Sequence, residues 1–317
     1  MSDLPTFSDI LTAEKRIRPY IQRTPVFTSR QVNRKAGCKV YFKCEPFQRA
    51  GAFKFRGACN AIFSLSDEEA ERGVVAHSSG NHAQAVSLAA SLRGINAHVV
   101  MPENAPAVKI AGVRSYGANL TFCKPTQQSR EETAAAISEK TGAIPVHPYN
   151  QHETIAGQGT AALELMKEIP DLDFIVTPVG GGGMLSGAAI TANQMNEKCR
   201  SFGVEPEGSD AARRSLEADS LIRVDQPETI AEGLRASLGD LTFAVIRRYA
   251  DQVVTVPDSS IVRDMRYIWE RMKVLTEPSS AVVVSALFDQ KIDCSGKKVG
   301  VILTGGNVDL DSLPWLR

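Results

Sequence analysis

The chain alternates short apolar runs with turns marked by glycine or proline and with stretches of helical periodicity. The apolar runs are continuous, which is typical of strands that are covered on both faces of a parallel sheet. The pattern therefore predicts an α/β protein with largely parallel sheets. The clearest predicted strands cover residues 73–77, 97–101, 119–122, 174–179, 201–204 and 299–303, and the clearest helices cover 83–92, 106–115, 129–140 and 185–196.

Residues 73–148 contain a compact β-α-β-α-β-α series of their own. A series that can complete its own sheet is typical of a separate domain. We therefore predict a small domain at 73–148, inserted into a larger domain that comprises residues 1–72 and 149–317.

Charge is balanced, with 36 basic and 36 acidic residues among 317. Without a basic patch, neither nucleic acid nor an anionic membrane is an expected partner. No apolar run approaches the roughly 20 residues that span a bilayer, and the first ten residues lack the pattern of a signal peptide. Six scattered cysteines without a C-x-x-C pair argue against a zinc site or a disulfide framework. These features predict a cytoplasmic protein.

Four consecutive glycines lie between a predicted strand and a predicted helix; they are Gly180, Gly181, Gly182 and Gly183. Backbone without side chains can wrap an anion, and the positive end of the helix dipole favours negative charge there. The run predicts a phosphate-binding loop, since a simple flexible turn needs only one or two glycines.

Lys54 stands between Phe53 and Phe55, with Gly51 and Gly57 at either end of the segment. Apolar neighbours lower the pKa of a lysine, and a lysine with a low pKa is an amine nucleophile. Taken alone, the segment is more typical of a surface lysine on an amphipathic helix than of a nucleophile. A nucleophilic lysine together with a phosphate-binding loop, however, is what pyridoxal phosphate requires.

Two further polar segments follow predicted strands, where ligands of open α/β sheets collect. Ser78, Asn81 and His82 belong to the first segment, at a predicted helix start that could receive a substrate carboxylate. Ser78 could instead be the helix N-cap, and His82 could be a histidine satisfied at the helix terminus. The second segment begins at Thr304, whose hydroxyl could bond a ring nitrogen.

Two alternatives stay open at this point. Glu205 lies about 20 residues beyond the glycines, where a dinucleotide-binding protein places its ribose-binding acid. The G-x-G-x-x-G spacing is absent, however, which disfavours a nicotinamide-dependent dehydrogenase. A phosphate-ligand binding module without enzymatic activity would keep the glycine loop but would need no lysine beside it.

Six segments resemble, in order and spacing, the fold-type II pyridoxal-phosphate enzymes, and in particular the serine racemase and serine/threonine dehydratase group. They are GAFKFRGA, SSGNHAQ, AGQGT, VGGGGMLSG, ERMKVLTEPSSA and LTGGNVDL. The resemblance runs from about residue 17 to about 310. It implies two open, mostly parallel sheets with flanking helices, as in the tryptophan synthase β fold.

The resemblance also implies roles for individual residues. Lys54 would form the Schiff base with pyridoxal phosphate, and Thr304 would face the pyridine nitrogen, where serine is commoner. Residues that would contact the cofactor are Phe53, Lys54, Asn81, Gly180, Gly181, Gly182, Gly183, Met184, Glu277 and Thr304. Residues that would bind the amino-acid substrate are Ser78, Ser79, Asn81, His82 and Arg130.

Ser79 is the position that favours racemisation. Racemisation needs an acid–base group on each face of the α-carbon, and in serine racemases the counterparts of Lys54 and Ser79 serve the two faces. Many threonine dehydratases have alanine at that place, although relatives that dehydrate 3-hydroxyaspartate look similar to this chain. We therefore expect a serine racemase with accompanying dehydratase activity; the alternative is a threonine/serine or L-threo-3-hydroxyaspartate ammonia-lyase.

Three further expectations come from the resemblance alone. Magnesium or another divalent cation would bind Glu205, the Ser209 carbonyl and Asp210, although the family's second acid belongs at position 211, which is alanine here. ATP is expected as an effector, but only part of its site matches. Gln84 and Asn307 match the family's contacts, whereas Arg30 and Ala50 do not. The chain is expected to form a homodimer.

Overall fold

The computed structural model of the protein describes residues 4–78, 80–105 and 107–316. Within these ranges the strands form two sheets. The strands are β1 (Val26–Phe27), β2 (Lys39–Cys44), β3 (Val74–His77), β4 (Ala97–Pro102), β5 (Asn119–Cys123), β6 (Ile144–Pro145), β7 (Phe174–Pro178), β8 (Arg200–Pro206), β9 (Gln252–Val256) and β10 (Lys298–Leu303).

The α-helices of the described residues alternate with the strands along most of the chain. They are α1 (Phe7–Ile17), α2 (Arg30–Ala36), α3 (Lys54–Ser64), α4 (Asp67–Glu71), α5 (Asn81–Arg93), α6 (Ala107–Ser115), α7 (Gln127–Thr141), α8 (His152–Glu168), α9 (Gly183–Met195), α10 (Ala211–Glu217), α11 (Asp240–Tyr249), α12 (Asp258–Met272) and α13 (Pro278–Phe288).

The larger sheet has the order β1-β2-β10-β7-β8-β9, and only β1 runs antiparallel to its neighbour. The smaller sheet has the order β5-β4-β3-β6 and is parallel throughout. Central strands such as β7 and β10 are almost wholly buried, since helices cover both faces. The prediction of two open, mostly parallel sheets is confirmed.

All four strands of the smaller sheet fall within residues 73–148. That this range is a domain of its own stays a prediction. Buried aliphatic side chains of α12, α13 and the larger sheet form one extensive apolar cluster, and α3, α5 and the smaller sheet share another. No helix in the described ranges is long and apolar enough to cross a membrane.

Candidate active site

The predicted site residues lie where parallel strands end. Thr304 directly follows β10, the glycine run follows β7, and Ser78 follows β3. Lys54 is reached from the end of β2 through two short 3-10 turns and is the first residue of α3. Carboxyl ends of parallel strands meet at one edge of a sheet, and ligands bind there.

The backbone around Lys54 is tied to the segment that begins at Thr304. The Phe53 amide donates to the Thr304 carbonyl at 2.9 Å, and the Gly306 amide donates to the Gly51 carbonyl at 3.0 Å. Ala52 and Gly305 form an isolated antiparallel bridge between these two bonds. The lysine loop and the hydroxyl at the end of β10 therefore hold a fixed relative position.

The Lys54 amine is held inside the protein. Its Nζ donates to the Pro148 carbonyl at 2.8 Å and lies 5.0 Å from the centre of the Phe53 ring. Burial lowers the pKa of Lys54 to about 8, although the negative charge of Glu277 acts in the opposite direction. A lower pKa leaves more of the neutral, nucleophilic amine near pH 7.

The glycine run is packed so tightly that side chains would not fit. A Cβ on Gly181 would lie 2.2 Å from a carbon of the Tyr149 ring, and a Cβ on Gly180 would lie 2.9 Å from the Leu234 Cα. Gly182 has a φ of +88° and is the N-cap of α9, so no side chain caps this helix. Since Tyr149 follows Pro148, one short segment joins the lysine to the glycine run.

Two side-chain amides and one carboxylate form a hydrogen-bonded chain beside the lysine. The Asn81 amide donates to the Glu277 carboxylate at 2.7 Å, and the Asn307 amide donates to the Asn81 oxygen at 2.9 Å and to the Ala50 carbonyl at 2.8 Å. Burial raises the pKa of Glu277 to about 7, and the hydrogen bond from Asn81 opposes that shift. The chain connects the starts of α5 and α13 with the segment after β10.

The segment around Ser78 differs in part from the prediction. The helix begins at Asn81 with Gly80 as its N-cap, so the alternative in which Ser78 is the N-cap is wrong. Ser78 Oγ instead accepts from the Gly80 amide at 3.3 Å. The predicted catalytic Ser79 lies outside the described residues.

His82 is buried, and its Nε2 lies 2.8 Å from the Val146 carbonyl. Burial lowers the pKa of His82 to about 3, so the ring is neutral and Nε2–H is the donor. The Nε2 side of the ring is thus satisfied at the helix terminus, whereas Nδ1 is buried without a hydrogen-bond partner among the described residues. A direct contact between His82 and substrate stays a prediction.

Arg130 lies on α7, at the side of the site that Tyr149 occupies. Its positive charge acts on the pKa of Tyr149, which burial raises, and on the pKa of His77, which burial lowers. His147 stacks edge-on against Tyr149 with ring centroids 4.7 Å apart. Arg130 is thus near Tyr149 and His77, and its contact with substrate stays a prediction.

Comparison with known proteins identifies the family. The family model described as pyridoxal-phosphate dependent enzyme matches residues 17–305. The chain belongs to this family. It is 48% identical over 312 residues to the beta-hydroxyaspartate dehydratase of Paracoccus denitrificans, with 98% of this chain and 99% of the relative covered.

Serine racemases are also among the relatives. The serine racemase of Dictyostelium discoideum is 47% identical, with 97% of this chain and 96% of the relative covered. The solved structure of maize serine racemase superposes with a TM-score of 0.96 at 45% identity and covers 99% of this chain and 97% of that one. Because the chain belongs to the pyridoxal-phosphate dependent enzymes, the two open alternatives are wrong. These were a nicotinamide-dependent dehydrogenase and a non-enzymatic binding module.

The residues present fit pyridoxal phosphate. The glycine run ends at the start of α9, where Gly182 is the N-cap and no side chain caps the helix amides, as a phosphate site requires. Lys54 offers a buried amine with a lowered pKa for a Schiff base. Thr304, which is 3% exposed, offers a hydroxyl at the end of β10. Met184 is buried in the first turn of α9, directly after the run.

The metal donors predicted for this family member are engaged elsewhere. Both Glu205 oxygens accept backbone amides, from Ala212 and Arg213, at 2.9 Å each. Asp210 pairs with Arg213 and Arg214, so both carboxylates predicted as metal donors have other partners. Nor do the described ranges contain a group of three or more His, Cys, Asp or Glu placed to hold a metal. As arranged, these residues do not fit a divalent cation.

Sequence reasoning missed the residues that join the parts of the site. Nothing in the sequence marks Pro148 as the acceptor for Lys54, or Tyr149 as the ring over Gly181. The only available signal was the position of both residues at the end of the predicted small domain.

Proposed function

We propose that this enzyme interconverts L-serine and D-serine and also eliminates the hydroxyl group of L-serine, giving pyruvate and ammonia. The observation that carries the proposal is the buried Lys54 amine, held by Pro148 next to the glycine run. Serine racemases at 45–47% identity over nearly the whole chain support this substrate.

Pyridoxal phosphate, when bound, supplies a ring that withdraws electrons from the α-carbon of an attached amino acid. The protein's first task is to move the α-proton, and we assign it to Lys54 Nζ. An amine with a pKa of about 8 can both accept and return a proton near neutral pH.

Thr304 and Glu277 set the electronic surroundings. The Thr304 hydroxyl would be a neutral partner for the ring nitrogen, so the ring would withdraw electrons less strongly than one whose protonated nitrogen is paired with aspartate. Loss of the substrate hydroxyl then competes well with return of the α-proton. Glu277 holds Asn81 in position through the 2.7 Å hydrogen bond, and we assign Asn81 to the phenolic oxygen of the cofactor.

Ser79 is the group that would make the enzyme a racemase. A proton returned to the second face of the α-carbon needs a donor opposite Lys54, and we assign that role to the Ser79 hydroxyl. The backbone of residues 78–82 would bind the substrate carboxylate, and Arg130 would close over it from α7.

A second candidate has its own support. The 48% identity to the beta-hydroxyaspartate dehydratase of Paracoccus denitrificans favours a substrate that carries a second carboxylate. A yeast L-threo-3-hydroxyaspartate ammonia-lyase is 45% identical. In this case Lys54 would act as before, but the product would be a keto acid and ammonia without significant racemisation.

The first experiment establishes the cofactor and the lysine together. The purified protein is supplied with pyridoxal phosphate, reduced with borohydride and digested, and the labelled peptide is identified by mass. We expect the label on Lys54 and none in Lys54→Ala. A protein that stays unlabelled would contradict the whole assignment.

The second experiment separates the two candidates. L-serine, L-threonine, L-aspartate and L-threo-3-hydroxyaspartate are each incubated with the loaded enzyme, and D-amino acid and keto acid are measured separately. We expect Ser79→Ala to lose D-serine production while keeping pyruvate formation. Equal loss of both activities would contradict the two-base assignment, and turnover of hydroxyaspartate alone would favour the ammonia-lyase.

The remaining expectations are proposals as well. A homodimer in the cytoplasm and an effector site for ATP near Gln84 and Asn307 rest on the family resemblance. Magnesium at Glu205 would have to displace the amide bonds of α10. Light scattering tests the dimer, and titration calorimetry with ATP and with magnesium chloride tests the two ligands.

A further inference from the structure

Two cysteines far apart in the sequence meet at the amino ends of neighbouring strands. Cys38 immediately precedes β2, and Cys294 begins the turn before β10. The Gly296 amide donates to the Gly37 carbonyl at 3.0 Å, and the Lys39 amide donates to the Lys297 carbonyl at 2.8 Å. These backbone bonds hold the two cysteine segments side by side.

The two thiols also lie close to each other. The Cys294 thiol donates to the Ala36 carbonyl at 3.7 Å, two residues before Cys38 in the chain, and hydrogen bonding between the thiols shifts the pKa of each. The exposed fractions are 6% for Cys38 and 3% for Cys294, so both lie just beneath the surface. The mutual hydrogen bond lowers the pKa of Cys294 and raises that of Cys38. Cys294 is therefore the better nucleophile.

The rest of the cysteines have a different environment. Burial raises the pKa of Cys44, Cys59 and Cys199 to about 12 in each case. A thiol that resists ionisation reacts slowly with oxidants. The paired geometry, with one thiol ready to attack and a second ready to resolve, is specific to Cys38 and Cys294 among the thiols whose surroundings are described above.

We propose that Cys38 and Cys294 are a modification site at which a peroxide oxidant forms a reversible disulfide. The Cys294 thiolate attacks a peroxide oxygen, the O–O bond breaks, and one water leaves after protonation. Cys38 then attacks the Cys294 sulfenic acid, the S–S bond forms, and a second water leaves. Overall the two thiols lose two electrons and two protons, and hydrogen peroxide is reduced to two waters.

The disulfide would connect β2 and β10 of the larger sheet at their amino ends, on the side of the sheet opposite the active site. Lys54 and Thr304 follow the carboxyl ends of β2 and β10, whereas the cysteines precede the amino ends. A cross-link between residues 38 and 294 closes a very long loop and so restricts the unfolded chain strongly. We expect a higher melting temperature after oxidation and an unchanged kcat.

In the test, the enzyme loaded with pyridoxal phosphate is oxidised with a small excess of hydrogen peroxide. Its free thiols are then blocked, and the protein is digested with trypsin. Trypsin would release residues 36–39 and 292–297 as two short peptides, each with one cysteine. We expect these peptides joined, with two of the six thiols lost on titration in denaturant. A thiol reductant should restore both thiols and the original melting temperature.

Two variants distinguish this pair from general oxidation. Cys38→Ser should lose the cross-link and the gain in melting temperature, while Cys199→Ser, which removes a buried thiol elsewhere, should keep both. Wild-type protein that yields a sulfinic or sulfonic acid at Cys294, or keeps all six thiols under conditions that oxidise added glutathione, would overturn the proposal.

Discussion

Lys109 and Glu232 form an ion pair that bridges the elements of the two sheets. Lys109 lies on α6, which packs on the smaller sheet. Glu232 begins a 3-10 turn that ends at Leu234, and the Leu234 backbone lies against Gly180. The side chains are 17% exposed for Lys109 and 53% exposed for Glu232, so the pair is only partly shielded from water. Both charges act on the pKa of Glu277, which places the pair at the edge of the site.

The first prediction concerns this ion pair. Lys109→Glu puts like charges in contact and should hinder the approach of α6 to the glycine run, so we expect KM for L-serine to rise roughly three- to tenfold with a smaller change in kcat. The double variant Lys109→Glu with Glu232→Lys restores opposite charges and should recover most of the loss. Steady-state kinetics on the two single variants and the double variant measures KM. If the changes in KM caused by the two single substitutions simply add in the double variant, the ion pair does not contribute to substrate binding.

The second prediction concerns the pH dependence of stability. Burial raises the folded pKa of Glu277 to about 7, above its ordinary value of 4.5, so the folded protein binds this proton more tightly than the unfolded chain does. The stabilisation is full below the ordinary value and is lost as pH rises through 7. At pH 8, Glu277→Gln should therefore be more stable than wild type by about 3 kcal/mol in the absence of cofactor.

Urea denaturation at pH 8 and pH 4.5 measures the difference. At the lower pH the two proteins should differ little, since Glu277 is protonated in the folded state and already half protonated in the unfolded chain. Glu68→Gln is the matched control because Glu68 is exposed, and its stability should track wild type. A Glu277→Gln variant that is less stable at pH 8 would mean that the carboxylate is compensated in the folded state.

The third prediction concerns the glycine run. Gly181→Ala would bring its Cβ to 2.2 Å from the Tyr149 ring, so either the ring or the loop must move. We expect affinity for pyridoxal phosphate to fall at least about tenfold while the far-ultraviolet circular dichroism spectrum stays unchanged. Adding Tyr149→Ala makes room for the methyl group and should recover part of the affinity. Normal cofactor binding by Gly181→Ala would contradict the assignment of this loop.

The fourth prediction concerns the charges beneath α3. Arg56 is fully buried and donates to Glu45 and to Glu164, and Lys43 also donates to Glu164 at 2.6 Å. Arg56→Met would leave Glu45 buried without its partner, and we expect a loss of roughly 3–5 kcal/mol of unfolding free energy. Arg18→Met, which removes an exposed partner of Glu14, should cost less than about 1 kcal/mol.

Much of the fold could be predicted because buried parallel strands have a simple signature. The apolar runs at β3, β4, β7 and β10 gave strand positions within one or two residues of those observed. The sequence KVYFKC of β2 has no such signature, because Lys43 interrupts it. That lysine can be buried because it pairs with Glu164 on α8 and donates to the Thr24 carbonyl, and a single sequence does not reveal such distant partners.

The site was predictable to the extent that its chemistry is local. The glycine run and Lys54 between phenylalanines each suggest a function within a few residues. The contacts that assemble them are long-range, as in the bond from Lys54 to Pro148 and the chain from Asn307 through Asn81 to Glu277. The family resemblance supplied roles for Asn81 and Glu277 but not the hydrogen bonds between them.

The uncapped start of α9 has a consequence for the turnover of the protein in the cell. Because Gly182 has no side chain, no side-chain cap satisfies the first amides of this helix, and a bound anion can accept hydrogen bonds from them. A ligand that binds the folded state alone adds stability in proportion to the logarithm of its concentration. A newly made chain would then reach its full resistance to proteolysis only after the phosphate ligand arrives, so turnover of the enzyme in the cell would follow the supply of its cofactor.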